Sequence, residues 1–292
     1  MKVLKYSIMK TLTNKLIIYD SNCKVCSSLK DVVLRFTAIP EEKVKAYKDL
    51  DSQLTTHVDA DRFKNVMALI DTNGGQTIYG AEGVAYIFAS QYKIVDFLFR
   101  SRFIFRLFAF LYKTQAYNRY IIATPKSNFK CDCFPDRVVK YRVSYIAIAL
   151  LISVLLTALF GISLKGFFAN MSGAQAAMQM LLIAGTGWVL QMLLATVVLR
   201  DKALDYIGHL GSIMVAGLLI LVPSMLIVLF TGVNTPWIPA VSVVLSSGYM
   251  LYLHINRVRY LELSQGWTIS WFLLLQSTAL FWVYIFHLKP ML

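Results

Sequence analysis

The 292-residue chain is 57% hydrophobic and only 15% charged, and its mean hydropathy is +0.58. Soluble globular domains contain about 25% charged residues, so this composition excludes an ordinary soluble protein and is typical of an integral membrane protein. The formal net charge of +13 favours membrane lipid with acidic headgroups over nucleic acid as a partner, because no nucleic-acid-binding motif accompanies it.

Charge is distributed unevenly along the chain. Residues 1–142 contain 23 of the 29 Lys and Arg residues and 13 of the 16 acidic residues, whereas the rest contains 6 and 3. We therefore expect a water-facing domain over 1–125, a basic juxtamembrane connector over 126–142 and an all-α transmembrane bundle over 143–292. The first fifteen residues contain four lysines and no long apolar stretch, so we expect the first domain to lie in the cytosol.

Strands and helices are predicted to alternate through the first domain. The first strand is the β-rich run Lys15–Tyr19, and a helix with apolar residues at helical spacing follows over 27–36. Later strands are predicted over 44–47, 66–70 and 77–79, and later helices over 59–64 and 80–90. The order β-α-β-α-β-β-α indicates an α/β thioredoxin-like fold.

Cys23 and Cys26 form a Cys-x-x-Cys pair at the first strand-to-helix turn. Backbone N–H groups and the positive end of the helix dipole favour a thiolate there, and Lys24 acts in the same direction. We therefore predict that Cys23 is the attacking nucleophile and that Cys26 resolves the mixed disulfide. The spacing alone leaves two alternatives open, half of a zinc site or two incidental buried thiols; no cofactor and no resident metal is predicted.

Four short stretches carry a family resemblance: residues 19–26 (YDSNCKVC), 70–75 (IDTNGG), 79–84 (YGAEGV) and 117–119 (YNR). Together they resemble the DCC family of predicted thiol-disulfide oxidoreductases, over residues 14–125. Two departures are Ser21, where the family commonly has glycine, and the lack of a proline before the third strand, where ordinary thioredoxins have a cis-proline.

The resemblance implies that Asp20 and Arg119 lie near the dithiol. Asp20 is expected either to accept or relay the proton of the resolving thiol, or to cap the helix or anchor the turn. Arg119 is expected to stabilise a thiolate or bind an anionic substrate; the plainer alternative is a surface arginine.

The segment after the first domain is basic and aromatic. Residues 93–142 contain 11 Lys and Arg residues against 3 acidic ones, and residues 97–112 mix Phe and Leu with arginines. This pattern predicts a helix that docks onto anionic lipid, with the alternative that its aromatic side chains close the core of the first domain.

A second cysteine pair, Cys131 and Cys133, lies in the connector between Pro125 and Pro135. We interpret the pair as mobile secondary thiols that exchange electrons with Cys23 and Cys26. A four-thiolate metal site shared with the first pair and incidental loop cysteines remain as alternatives.

The last 150 residues contain five apolar segments of the length needed to cross a membrane, about 20 helical residues each. The predicted spans are 143–164, 178–199, 207–231, 236–255 and 267–287. Lys and Arg are concentrated before the first span, between the second and third, and between the fourth and fifth. Because cytoplasmic loops are enriched in these cations, we predict a multi-pass protein with a cytoplasmic N-terminal domain and the C-terminus on the opposite side.

Ionisable residues are scarce in this half. The predicted spans contain no Asp, Glu, Lys or Arg, so an intramembrane ion relay is not expected. His209 and His254 fall near span ends, where they are expected to be either solvated side chains or ligands of a haem, metal or quinone.

Two hypotheses for function follow. The first is a membrane-tethered thiol-disulfide oxidoreductase whose Cys23/Cys26 dithiol acts on a cytosolic protein or small-molecule partner. The alternative is a non-catalytic membrane adaptor whose thioredoxin-like domain senses redox state or holds zinc.

Overall fold

The computed structural model describes residues 12–125, 134–167, 171–232 and 235–288. The chain divides into two compact units, Met1–Arg142 and Val143–Leu292. A small mixed β-sheet lies in the first unit, and long apolar helices make up the second.

The sheet has four strands: β1 (Lys15–Tyr19), β2 (Val44–Ala46), β3 (Ala68–Asp71) and β4 (Ile78–Tyr79). Their order is β2-β1-β3-β4; β1 and β2 are parallel, and β3 is antiparallel to β1 and to β4. Ile17 of β1 therefore faces Val44 on one side and Leu69 on the other. The predicted bounds of β1 are confirmed, because a continuous apolar run is what a strand covered on both faces requires.

Among the described residues of the first unit, seven helices accompany the sheet. They are α1 (Lys24–Phe36), α2 (Ser52–Thr55), α3 (Ala60–Phe63), α4 (Ala81–Gln91), α5 (Lys93–Arg100), α6 (Arg102–Tyr117) and α7 (Arg119–Ile122). Single 3-10 turns occur at Glu41–Lys43 and Tyr47–Asp49. The predicted helix over 27–36 begins earlier, at Lys24, because Cys23 caps it.

Side-chain alternation along β1 divides the core into two layers. Ile18 packs with Phe63 and Ile70 on one face of the sheet. Ile17 packs with Val33 of α1 and Ile87 of α4 on the other face. The core thereby fixes the carboxyl end of β1 against the start of α1, where the dithiol lies.

The second unit consists mainly of five long helices: α8 (Val139–Ser163, which begins in the first unit), α9 (Gly173–Leu199), α10 (Ala203–Thr231), α11 (Trp237–Tyr260) and α12 (Gly266–Val283). Each predicted span lies on one of them. A 3-10 turn, Leu164–Phe167, extends α8, and a π-helical turn, Tyr284–Leu288, extends α12.

By length and hydropathy, four helical segments of the described chain are able to cross a membrane, and one of them, Gly173–Thr231, has 59 residues. This segment contains α9 and α10, joined by the 3-10 turn Arg200–Lys202. Gln191 Nε2 donates a hydrogen bond to Tyr206 Oη at 2.7 Å, although an uninterrupted helix would separate the two residues by about 22 Å. The chain therefore reverses at the turn, and each helix of this hairpin exceeds the length that one crossing needs.

Close approach of two helices occurs at Gly187 of α9. A Cβ atom there would lie 2.7 Å from the Cα of Leu275 in α12. At Gly185, two residues earlier, nothing lies within 4 Å of the same position. Of these two glycines, only Gly187 is required by the packing, since small residues let helix backbones meet in membranes.

Both histidines predicted near span ends are buried, so the expectation of solvated side chains is wrong. Nε2 of His254 lies 2.9 Å from Tyr206 Oη, and Nδ1 lies 3.2 Å from Thr268 Oγ1. Both ring nitrogens are thus engaged by hydroxyl groups, which leaves neither directed at a cofactor. His209 Nδ1 accepts a hydrogen bond from the buried Arg257 at 2.7 Å.

Arg257 was excluded from the predicted fourth span, which ends at residue 255. Helix α11 continues to Tyr260 and carries this cation into the packed helices. A hydropathy criterion ends a predicted span at the first charged residue. The helix itself can continue past that residue, because its backbone hydrogen bonds are unaffected and a partner such as His209 binds the charge.

Candidate functional site

The candidate site lies where β1 ends and α1 begins. A carboxylate oxygen of Asp20 and the sulfurs of Cys23 and Cys26 all lie within 4.8 Å of one another. Asp20 and Cys23 are buried, Cys26 is partly exposed, and both cysteines are free thiols. The structure therefore brings together the predicted dithiol and the carboxylate that the family resemblance placed beside it.

Backbone geometry at the turn directs N–H groups towards Cys23. The residue is the N-cap of α1, and its Sγ accepts a hydrogen bond from the N–H of Cys26 at 3.2 Å. Ser, Thr, Asp or Asn usually supplies the oxygen that accepts this hydrogen bond. A sulfur in that place is stabilised as an anion by the unsatisfied donors of the helix start.

Asp20 anchors the turn and does not cap the helix. Its Oδ1 accepts the backbone N–H of Asn22 at 2.9 Å, and its Oδ2 accepts the hydroxyl of Tyr120 at 3.0 Å. The expected N-cap role belongs to Cys23, because the side chain that faces the N–H of Cys26 is the sulfur.

Arg119 is a core residue of the site. It begins the short helix α7, is only 3% exposed, and places Nη2 3.5 Å from Oδ2 of Asp20. The alternative of a surface arginine is therefore wrong. Its guanidinium carbon also lies 5.3 Å from the ring centre of Tyr120, which keeps the cation beside the dithiol.

The two thiols differ in acidity. The pKa of Cys23 is lowered from its ordinary value of 9.0, chiefly because the side chain of Cys26 donates a hydrogen bond to it; the N–H of Cys26 and the charge of Arg119 act in the same direction against burial. The pKa of Cys26 is raised well above 9.0, because its thiol donates a hydrogen bond to Cys23 and because the surrounding protein withdraws that thiol from water, although the residue as a whole is partly exposed. Cys23 is therefore the more acidic thiol of the pair, and Cys26 keeps its proton to higher pH.

Lys24 contributes less than its place in the sequence indicated. It is exposed at the first position of α1. The cation that lowers the pKa of Cys23 is the buried Arg119, which is remote in sequence. A charge in a buried site is screened less than one in water, so burial decides which cation acts.

The more acidic cysteine, Cys23, is the less exposed of the two residues. The side chain of Cys23 is 0% exposed, whereas Cys26 borders a cavity of about 40 Å³. Leu29, Met67, Tyr112 and Arg119 contribute to its lining. The space is close to that of a single water molecule.

Two tyrosines of the site were not singled out from the sequence. Tyr120 donates to Asp20, and Tyr112 Oη accepts the N–H of Met67 at 3.3 Å. Met67 immediately precedes β3. Adjacency to Arg119 was the only available signal for Tyr120, and Tyr112 was hidden among the many aromatic residues of its helix.

Cys131 and Cys133 lie outside the described residues. The residues that follow them contact earlier parts of the first unit: the ring of Phe134 meets that of Tyr120 edge-on, with 4.7 Å between ring centres. Asp136 exchanges two hydrogen bonds with Asn65, each 2.8 Å long.

The described residues contain one group of candidate metal ligands, Asp20, Cys23 and Cys26. Structural zinc sites have four ligands. Both oxygens of Asp20 already accept hydrogen bonds, and the cation of Arg119 faces the carboxylate. The three residues therefore fit zinc poorly.

Comparison with known proteins adds no assignment. A scan against protein-family models found no match to this chain, and searches of curated proteins and of solved structures found none either.

Proposed function

We propose that the first unit is a thioredoxin-like domain of the DCC type and acts as a membrane-tethered thiol-disulfide oxidoreductase. The sheet supports this fold, since β1 and β2 are parallel, β3 runs against its neighbours, and the dithiol follows β1 directly. The observation that carries the proposed activity is the position of Cys23 as the N-cap of α1, where its Sγ accepts the N–H of Cys26 and its pKa is lowered.

In the proposed reaction, the Cys23 thiolate attacks one sulfur of a substrate disulfide. That S–S bond breaks, the other substrate sulfur leaves as a thiolate and takes a proton, and a mixed disulfide joins Cys23 to the attacked sulfur. Cys26 then passes its proton to Asp20, whose oxygen lies within 4.8 Å, and attacks Cys23. The attacked substrate sulfur leaves as a thiolate and takes the proton from Asp20, so that two electrons have passed to the substrate and Cys23 and Cys26 form a disulfide. An external thiol reductant reduces this disulfide to the dithiol; as an oxidant the domain would run the same steps in reverse.

The membrane arrangement is part of the proposal. We assign a cytoplasmic first unit and five crossings, because the short connections with most cations are those before α8, between α9 and α10, and between α11 and α12. This arrangement places the C-terminus on the opposite side. A reporter fused to the C-terminus that is active only outside the cytosol is the expected result; activity only inside would contradict the assignment.

A second candidate is a non-catalytic adaptor that senses redox state or holds zinc. The cluster of Asp20, Cys23 and Cys26 favours it, as does the burial of Cys23, because a sensor requires no rapid access to a large substrate. The poor fit to zinc argues for the redox form of this alternative.

The test uses the full chain purified in detergent with a thiol reductant and insulin as substrate. We expect insulin reduction above the background of the reductant, complete loss of this excess in Cys23→Ser, and an insulin-linked mixed disulfide that accumulates in Cys26→Ser. Both variants carry Cys131→Ser and Cys133→Ser, so that no other thiol resolves the intermediate. The parent with only those two changes is the matched control.

Zinc content is measured on the same samples. No dithiol-dependent turnover together with one bound zinc per chain would overturn the enzymatic proposal in favour of a zinc-holding adaptor. No turnover without zinc, but with reversible oxidation of Cys23 to Cys26, would favour the redox sensor.

A further inference from the structure

Helices α5 and α6 expose two rows of large apolar side chains, which we call the docking surface. It consists of Ile94, Phe97, Leu98, Phe103, Leu107 and Leu111. Phe97 is 69% exposed and Phe103 is 76% exposed. Soluble surfaces seldom present so many large apolar groups on adjoining helices without a partner.

Packing between the helices holds the docking surface in place. The ring of Phe99 in α5 lies 6.1 Å from that of Phe105 and 4.8 Å from that of Phe108 in α6. Residues 103, 107 and 111 repeat at one helical face, as do 94, 97 and 98. The inner aromatic rings thus pack between the two helices, whereas the outer apolar rows take no part in this packing.

Cations border the docking surface. Lys93, Arg100, Arg102, Arg106 and Lys113 on these two helices are exposed. The same stretch, residues 93–117, contains one acidic residue, Asp96, which pairs with Arg100 at 2.6 Å. Apolar rows with basic flanks match the headgroup layer of an anionic bilayer, where rings enter the acyl boundary and cations meet phosphate.

The chain itself brings this surface to a membrane. The C-terminal end of α6 is fixed to the first turn of α8: the rings of Tyr117 and Tyr141 stack with 4.9 Å between centres. Asn118 Nδ2 also donates to the backbone oxygen of Tyr141 at 2.9 Å. Because α8 is long and apolar enough to cross a bilayer, the C-terminal end of α6 lies beside the point where the chain would enter the lipid.

We propose that the docking surface lies in the headgroup layer of a membrane that contains anionic phospholipid. Tyr112, Gln115 and Ala116 of the same α6 line the cavity beside Cys26. Docking of α6 therefore holds the Cys26 cavity at the lipid surface. Docking follows from the exposed apolar rows, the cations that border them and the attachment of α6 to α8, and it does not require a catalytic dithiol.

The test places a nitroxide label at residue 103 of the full chain, with the four native cysteines replaced by serine and Phe103→Cys introduced. The protein is reconstituted in vesicles of phosphatidylcholine with phosphatidylglycerol, and collisions of the label with oxygen and with a water-soluble nickel chelate are compared. A label at Gln53→Cys, an exposed position on α2, is the matched control. We expect oxygen to dominate at 103 and the nickel chelate to dominate at 53.

Charge dependence is tested with Arg102→Gln and Arg106→Gln together. Each cation near an anionic surface strengthens attachment roughly fivefold, so the ratio of docked to undocked protein should fall roughly 30-fold. Vesicles of phosphatidylcholine alone should lower the same ratio by at least as much, because every cation that borders the docking surface then loses its anionic partner.

Three outcomes overturn the proposal. Dominance of the nickel chelate at 103 in anionic vesicles would show a surface in water. Shielding from both reagents would show that protein covers it, either the second unit or another copy. Hydrogen exchange of α5 and α6 in the unmodified chain guards against misfolding of the labelled variant: protection that is no greater in anionic than in zwitterionic vesicles would also contradict the proposal.

Discussion

Replacing Arg119 by glutamine is expected to weaken the first unit by about 3–5 kcal/mol, because it leaves the buried carboxylate of Asp20 without its cation. The side chains of Asp20 and Arg119 are 6% and 4% exposed, so water cannot compensate for the lost partner. Hydrogen exchange of β1 and α1 in the full chain measures the effect. Protection of the amides there should fall roughly 100-fold or more, since 1.4 kcal/mol corresponds to about a factor of ten.

Two matched variants identify the cause. Asp20→Asn combined with Arg119→Gln removes both charges and is expected to recover part of the protection, because no unpaired charge remains. Lys64→Gln removes a cation that pairs with Asp61 and Asp136 at the surface, where water screens the pair, and it should leave the protection of β1 and α1 nearly unchanged. Equal losses in Arg119→Gln and Lys64→Gln would show that burial of the Asp20 pair has no energetic consequence.

At mildly acidic pH, iodoacetamide is expected to modify Cys23 before Cys26, although Cys26 is the more exposed residue. Only the thiolate reacts, and the pKa of Cys23 lies below 9.0 while that of Cys26 lies well above it. Each unit of separation multiplies the ratio of the two thiolates by roughly ten. As the pH rises towards the pKa of Cys26, that thiol ionises in turn and its share of the label should grow.

Peptide mass spectrometry after short labelling times measures the two rates separately. Lys24→Gln is the matched control, and its Cys23 profile should coincide with that of the unmodified chain because the acting cation is Arg119. Faster labelling of Cys26 at every pH would mean that access, and not acidity, governs the pair. Cys23 would then be unfit as the attacking nucleophile.

The aromatic segment over residues 97–112 illustrates what a sequence pattern leaves undecided. Two alternatives were open for residues 97–112, lipid docking and closure of the core. The segment forms two helices that meet at Ser101, and its side chains separate by face: Phe108 contacts Phe99 and Tyr112, whereas Phe103 is exposed. Composition cannot make this distinction, because all of these residues are apolar and only their direction around the helix differs.

Some features followed from local sequence alone. The apolar lengths of the second half determined its long helices, since a helix satisfies its backbone hydrogen bonds within one continuous segment. The apolar run of β1 determined its bounds, and the Cys-x-x-Cys pair was located at the junction of a strand and a helix. These properties depend on neighbours within a few residues, which periodicity reveals.

Only the tertiary structure decided the chemistry around the dithiol. It brought Tyr120 to Asp20 across 100 positions, placed Arg119 in the core, and buried Cys23 while leaving Cys26 partly exposed. In the second unit it joined His254 to Tyr206. Burial and the distance between charges set a pKa, and both arise from residues far apart in the chain, so no local pattern contains them.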